Sequence, residues 1–139
     1  MGFDVKAIDI EQRYLDMLQQ MALPGSSKIE TELVSFNNSE YEAESVDAFV
    51  FFECFHHCLS HATLIERLSR TLRPGGRIIF AAEPFYDVWF YFPWGIRLDG
   101  HAVWAVRNYG WMELGFRKSY ICDLSRKITL GWTGRPSPT

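Results

Sequence analysis

Between Glu53 and His61 the chain reads Glu-Cys-Phe-His-His-Cys-Leu-Ser-His, and most of those side chains can do chemistry. Carboxylates and imidazoles move protons, while thiolates and imidazoles ligate zinc. Two readings follow. In one, Glu53 and His56 stand at the carboxyl end of a central strand, where open α/β sheets bind ligands. In the other, Cys54, His57, Cys58 and His61 recur at i, i+3, i+4 and i+7 as metal ligands. One helix face offers about two adjacent ligands to a tetrahedral ion. No second Cys/His cluster accompanies them, since Cys122 and His101 stand alone, so no metal is expected. A plainer alternative is that His56 and His57 are buried and hold the loop through hydrogen bonds. Asp9 is a further candidate, because it closes the run Val5-Lys6-Ala7-Ile8-Asp9. An acid at a strand tip can accept hydrogen bonds from ribose hydroxyls, or it can cap the helix that follows.

The elements that must position these groups are legible as periodicity. Phe49-Val50-Phe51-Phe52 is wholly apolar, as a strand buried on both faces requires. From Ala62 to Leu72, Leu64, Ile65, Leu68 and Leu72 recur at helical spacing. Arg73-Pro74-Gly75-Gly76 stops that helix, since proline cannot continue it and glycine accepts positive φ. Arg77 to Glu83 is a second apolar strand, so Val46 to Pro84 is a βαβ unit. Upstream, Val5–Ile10 is a strand and Glu11–Ala22 a helix with Tyr14, Leu15, Leu18 and Met21 inward. Ile29–Phe36 is the next strand, with Leu33 and Phe36 as core residues.

Downstream, seven of the ten residues in Phe85–Trp94 carry rings. That stretch suits a lid over a ligand, a dimer contact or ordinary core. Asp99–Tyr109 is helical, with Ala102, Trp104, Val103 and Val106 turned inward. Tyr120–Arg126 reads as a short helix and Ile128–Trp132 as a strand.

The bulk numbers narrow the class. A chain of 139 residues is one domain by length, and 47% apolar with 16% aromatic residues supports a sizeable core. A net charge of −3 gives no electrostatic basis for capturing nucleic acid or an anionic membrane. No apolar run reaches the roughly 18 residues of a membrane span, and no signal peptide is visible. Three cysteines, an odd number, suit a reducing compartment, so the expected location is cytoplasmic.

Several of these residues also carry a resemblance. Val46-Asp47-Ala48, Phe52-Glu53-Cys54-Phe55-His56-His57 and Leu72-Arg73-Pro74-Gly75-Gly76-Arg77-Ile78-Ile79 resemble the middle of a Rossmann-like S-adenosylmethionine-dependent methyltransferase. That family shows an Asp entering its fourth strand, a His-containing loop after it, and "L-x-P-G-G-x-L" before its fifth. The likeness runs from about Val5 to Pro84. It implies that Asp9 binds the cofactor ribose and that Ser39 or Glu40 lies near the adenine. It also implies that Glu53 and His56 stand by the methyl group or its acceptor. The family's glycine-rich turn, "E-x-G-x-G-x-G", has no counterpart here, since Met1-Gly2-Phe3-Asp4 leads straight into the strand ending at Asp9.

The expected fold is therefore α/β: a truncated Rossmann-like methyltransferase fold, a mostly parallel sheet with flanking helices, forming one partial domain over residues 1–139. The expected function is methyl transfer from S-adenosylmethionine to a small-molecule acceptor. The alternative is a non-catalytic remnant serving as a binding or oligomerisation module. Loss of the first strand would expose strand edges. Direct pairing of the neighbouring strands, a segment near Ile128, or a homodimer would each close that gap.

Overall fold

The structure, a computed structural model, describes residues 3–22, 29–87 and 92–132. It is α/β, with mostly parallel strand pairing. The chain forms two compact units, Met1–Glu40 and Tyr41–Thr139.

The first unit contains β1 (Val5–Asp9), α1 (Gln12–Met21) and β2 (Ile29–Leu33). The two strands pair in parallel, from Val5 opposite Ile29 to Asp9 opposite Leu33. Parallel strands need a crossover, and α1 supplies it. Val34 N–H extends the ladder by donating to Asp9 O at 2.9 Å, so the backbone at Asp9 is held on its carbonyl side. Of the four α1 residues expected inward, Leu15 is buried, whereas Tyr14, Leu18 and Met21 are exposed, as is Leu33 on β2. Periodicity marks which side of a helix is apolar, but burial also requires something packed against it.

The second unit begins with β3 (Val46–Phe52), a 3₁₀ turn (Phe55–His57), α2 (His61–Thr71) and β4 (Leu72–Ala81). β3 and β4 are parallel, with Phe49 opposite Ile78 and Phe51 opposite Phe80. α2 buries Leu64, Ile65 and Leu68, the stripe its spacing predicts. β4 starts directly at Leu72 rather than at Arg77. The register slips between Val46↔Leu72 and Ala48↔Arg77, so Arg73–Gly76 bulges out of the ladder. The glycines serve different ends. Gly75 has φ +84°, while a Cβ on Gly76 would lie 2.9 Å from Arg73 O and 3.1 Å from Asp47 O.

Two-sided burial of β3 is not observed. Phe51 is 6% exposed, stacked on Phe80 at 5.7 Å and edge-on to Phe55 at 5.4 Å. Val50 and Phe52 point the other way and are 65% and 66% exposed.

The chain continues through β5 (Phe85–Tyr86), β6 (Trp94–Ile96), α3 (Gly100–Tyr109), β7 (Leu114–Arg117) and α4 (Lys118–Trp132). β7 is central, parallel to β5 and antiparallel to β6. Its Leu114 and Phe116 are fully buried. α3 starts at Asp99, whose side chain accepts the Ala102 N–H, and stops at left-handed Gly110. It buries Ala102 and Ala105, while Trp104 and Val106 are exposed and Val103 is half-buried.

The helix and strand expected after Tyr120 are instead one helix, α4. α4 runs without a break from Lys118 to Trp132, through Ile128 and Thr129. Ile128 therefore supplies no strand. The aromatic stretch divides: Phe85 packs on Phe80 at 5.4 Å, and Trp94 stands edge-on to His61 at 5.0 Å. Residues 88–91, on which a lid reading would rest, lie outside the described residues.

Candidate functional site

The loop after β3 hangs on one carboxylate. β3 ends at Phe52, and Glu53 turns the chain with φ +48°, a left-handed backbone unusual outside glycine. Glu53 N–H donates to Ala81 O at 3.1 Å, and Ala82, just past the end of β4, also has positive φ, +56°. The chain then meets Glu83, whose side chain is 1% exposed. Glu83 Oε1 accepts Cys54 N–H at 2.9 Å and Phe55 N–H at 2.8 Å, and Oε2 accepts His56 N–H at 3.2 Å. His56 Nδ1 lies 2.8 Å from the same Oε2. Burial pushes the Glu83 carboxyl up, but the hydrogen bonds from His56, Phe55 and Cys54 outweigh it, and the group titrates below the usual carboxylate range.

His56 continues the chain of contacts. Its Nε2 is 3.3 Å from Glu113 Oε2, so the ring lies between two buried carboxylates. Glu113 precedes β7, and its backbone carbonyl accepts Arg97 N–H at 2.7 Å. Arg97 Nη1 stands 3.5 Å from Glu113 Oε2, while Nε and Nη2 both reach Asp99 Oδ2 at 2.8 Å. Asp99, in turn, caps α3. The N–H of Ala102, foremost, and the Arg97 guanidinium hold its carboxyl below the usual range.

His57 sits on the open side. Its Nδ1 hydrogen-bonds to Met112 O at 3.0 Å and lies 3.9 Å from Glu113 Oε1. The His56 and His57 ring centres are 4.2 Å apart, and Trp111 leans on His57 at 5.4 Å. Tyr109 stacks on Trp111 at 4.8 Å.

The other members of the loop are structural. His61 is buried, with Nδ1 3.2 Å from Cys58 O and Nε2 2.9 Å from the Tyr120 hydroxyl. The carbonyl can only accept, so Nδ1 carries the proton and Nε2 receives the Tyr120 O–H. Burial lowers the His61 pKa and raises those of the Cys58 thiol and the Tyr120 hydroxyl. Both nitrogens of His61 are thus taken, and the spacing of Cys54, His57, Cys58 and His61 does not become a ligand set. The cluster that converges, among the described residues, is His56, His57 and Glu113.

In the first unit, Asp9 Oδ1 accepts Glu11 N–H at 2.8 Å. This is a turn two residues on, rather than a cap on the N–H groups inside α1. Asp9 Oδ2 has no protein partner among the described residues. Ser39 is buried and its hydroxyl donates to Phe36 O at 3.0 Å, while Glu40 is exposed. Glu53, in the second unit, is exposed at the carboxyl end of β3.

Sequence reasoning singled out Glu53 and His56 but not Glu83, Arg97 or Glu113. Two signals were available. Glu83 ends an apolar strand, and Glu113 is an acid inside Trp111-Met112-Glu113-Leu114, where burial demands a partner.

Comparison with known proteins agrees with this architecture. A family model described as a methyltransferase domain matches residues 1–80. No curated protein matches the chain in sequence. Among solved structures, the chain resembles an S-adenosylmethionine-dependent methyltransferase from Mesorhizobium loti, with TM-score 0.65 and 15% identity over 90% of this chain and 63% of that one. A methyltransferase from Methanosarcina mazei gives TM-score 0.63 and 15% identity over 91% and 69%. A chain from a complex of the Haloferax volcanii Trm112 methyltransferase activator with a methyltransferase gives TM-score 0.64 and 14% identity over 90% and 50%. At such identities the likeness is one of fold, and this chain spans 50% to 69% of the length of these three. With the family model covering more than half of its residues, the chain belongs to the methyltransferase-domain family.

Proposed function

We propose that the chain serves a methyltransferase using S-adenosylmethionine, and that its own residues bind the cofactor and present a small-molecule acceptor. One observation carries this reading. At the carboxyl ends of the parallel strands β3 and β4, where α/β sheets bind ligands, the backbone after β3 is clamped by the Glu83 carboxylate. Methyl transfer is a displacement that gains from fixed in-line geometry rather than from proton chemistry alone. A loop pinned by three backbone hydrogen bonds supplies such rigidity.

The residues present fit the cofactor at Asp9. One of its carboxylate oxygens is held by Glu11 N–H, and the other is open to a hydroxyl donor such as a ribose. Ser39 and Glu40 are assigned to the adenine end, with the Ser39 hydroxyl bracing its own turn and Glu40 offering an exposed acceptor. When bound, S-adenosylmethionine supplies an electrophilic methyl group. Glu53 faces solvent and takes the acceptor-side role, accepting its proton or orienting it by hydrogen bonding. His56 is enclosed by Glu83 and Glu113, so it acts as a positioning residue that keeps the loop in place. We also assign the protein to the cytoplasm, since none of its cysteines is in a disulfide. No described helix is long and apolar enough to cross a membrane.

The test is calorimetric titration with S-adenosylhomocysteine. Binding at micromolar strength is expected, weakened about tenfold or more in Asp9→Ala, a loss of about 1.4 kcal/mol or more. Absence of binding at millimolar ligand would overturn the proposal. So would equal binding by the variant for the role of Asp9.

A further inference from the structure

We propose that His56, His57 and Glu113 form a binding site for a first-row divalent metal ion of the zinc type. Each offers one ligand atom, and the three atoms lie within 4.8 Å of one another. Two imidazoles and one carboxylate are a ligand set that zinc accepts, with coordination left over for water or a substrate oxygen. This inference does not depend on methyl transfer.

The outer contacts argue for a built site. A metal-bound imidazole characteristically gives its other N–H to a carboxylate or a backbone carbonyl, which fixes the tautomer and aims the ligand nitrogen. His56 has this arrangement, and the His57 ring is held by a backbone carbonyl. His56 Nδ1 is 2.8 Å from the Glu83 carboxylate, and His57 Nδ1 is 3.0 Å from Met112 O. His56 Nε2 stands 3.3 Å from Glu113 Oε2, with both side chains nearly dry. Arg97 Nη1 reaches Glu113 at only 3.5 Å, and its Nε and Nη2 are spent on Asp99.

Metal bonds of about 2.0–2.2 Å bring tetrahedral ligand atoms to about 3.4 Å apart. His57, with a side chain 26% exposed, is the ligand with room to close that distance. The same exposure gives an ion a way in.

The experiment uses the full chain, stripped with a chelator, desalted and titrated with cobalt(II), a coloured stand-in for zinc. The expected result is one saturable equivalent, visible d–d absorption without thiolate charge transfer, and displacement by zinc. His57→Ala and Glu113→Gln should each weaken binding about tenfold or more, with Cys54→Ser unchanged. The metal-free melting of His57→Ala should match that of the parent, and zinc should raise the melting temperature of the parent only. Failure to saturate at one equivalent overturns the site. So does retention of affinity in both His57→Ala and Glu113→Gln, or thiolate charge transfer, which would place the ion on Cys54 or Cys58.

Discussion

Glu83 takes three backbone N–H groups and an imidazole nitrogen onto one buried carboxylate, and that single residue orders the loop most able to do chemistry. Removing a buried, fully bonded charge is costly in a way that removing an exposed one is not. Glu83→Ala leaves three backbone N–H groups and the His56 imidazole without their partner and should cost about 3–5 kcal/mol, read by urea denaturation. The titration of the site adds a second expectation. Glu83 is held below the usual carboxylate range, so its contribution is present above about pH 4.3 and is lost as pH falls through its folded value. His61 is held low by burial, so its unfolded form takes a proton first below about pH 6.5, and stability declines from there downward. The urea midpoint should therefore fall between pH 7.5 and pH 5.5, and fall less in His61→Gln. Equal slopes in the two proteins would mean that His61 does not titrate as its burial implies.

At the scale of elements, the turn from α2 into β4 explains why its glycines are not interchangeable. Gly75 has a left-handed backbone with open space around it, so Gly75→Ala should cost about 1–2 kcal/mol of backbone strain. Gly76 is pressed against Arg73 O and Asp47 O, which are backbone atoms that cannot rotate away. Gly76→Ala must displace the bulge itself, at about 1–3 kcal/mol, and should also disturb the β3–β4 register that carries Glu53. Thermal melts of the two variants, together with proteolysis of the loop after β3, check this. Opened proteolysis is expected for Gly76→Ala and not for Gly75→Ala. α4 holds a related lesson. An apolar, β-branched run of five residues is ambiguous between helix and strand. Here the run is the last part of α4, which reaches Trp132.

At the scale of the molecule, β3 and β4 present two unlike faces. Phe51 and Phe80 are packed with Phe55 and Phe116 in the aromatic core, while Val50, Phe52 and Ile79 are exposed. A homodimer is the proposal that follows, because apolar surface of this kind gains free energy when covered. Sedimentation equilibrium should give twice the chain mass of 16.2 kDa, returning toward the monomer in Phe52→Lys. A clean monomer at high concentration would sink the idea.

What the sequence by itself determined is local in origin. Helical spacing in Leu64, Ile65 and Leu68, the Pro-Gly-Gly stop and the apolar runs at Phe49–Phe52 and Ile78–Ala81 are read within a few residues, so the strand–helix–strand order was legible. The resemblance to methyltransferases rested on Val46–Ala48, Phe52–His57 and Leu72–Ile79, all of which lie within the family match. Placement of Glu53 and His56 just past the carboxyl end of β3 was legible too, because the apolar strand ahead of them could be read. Only the tertiary structure decided which side chains meet. Glu83 reaches His56 from 27 residues away, and Arg97 and Glu113 arrive from elements still more distant in the chain. Buried charges are stabilised by partners brought close by folding, and no local pattern encodes such a meeting. The same holds for His61, whose spacing suggested a metal ligand and whose burial against Tyr120 and Cys58 made it part of the core.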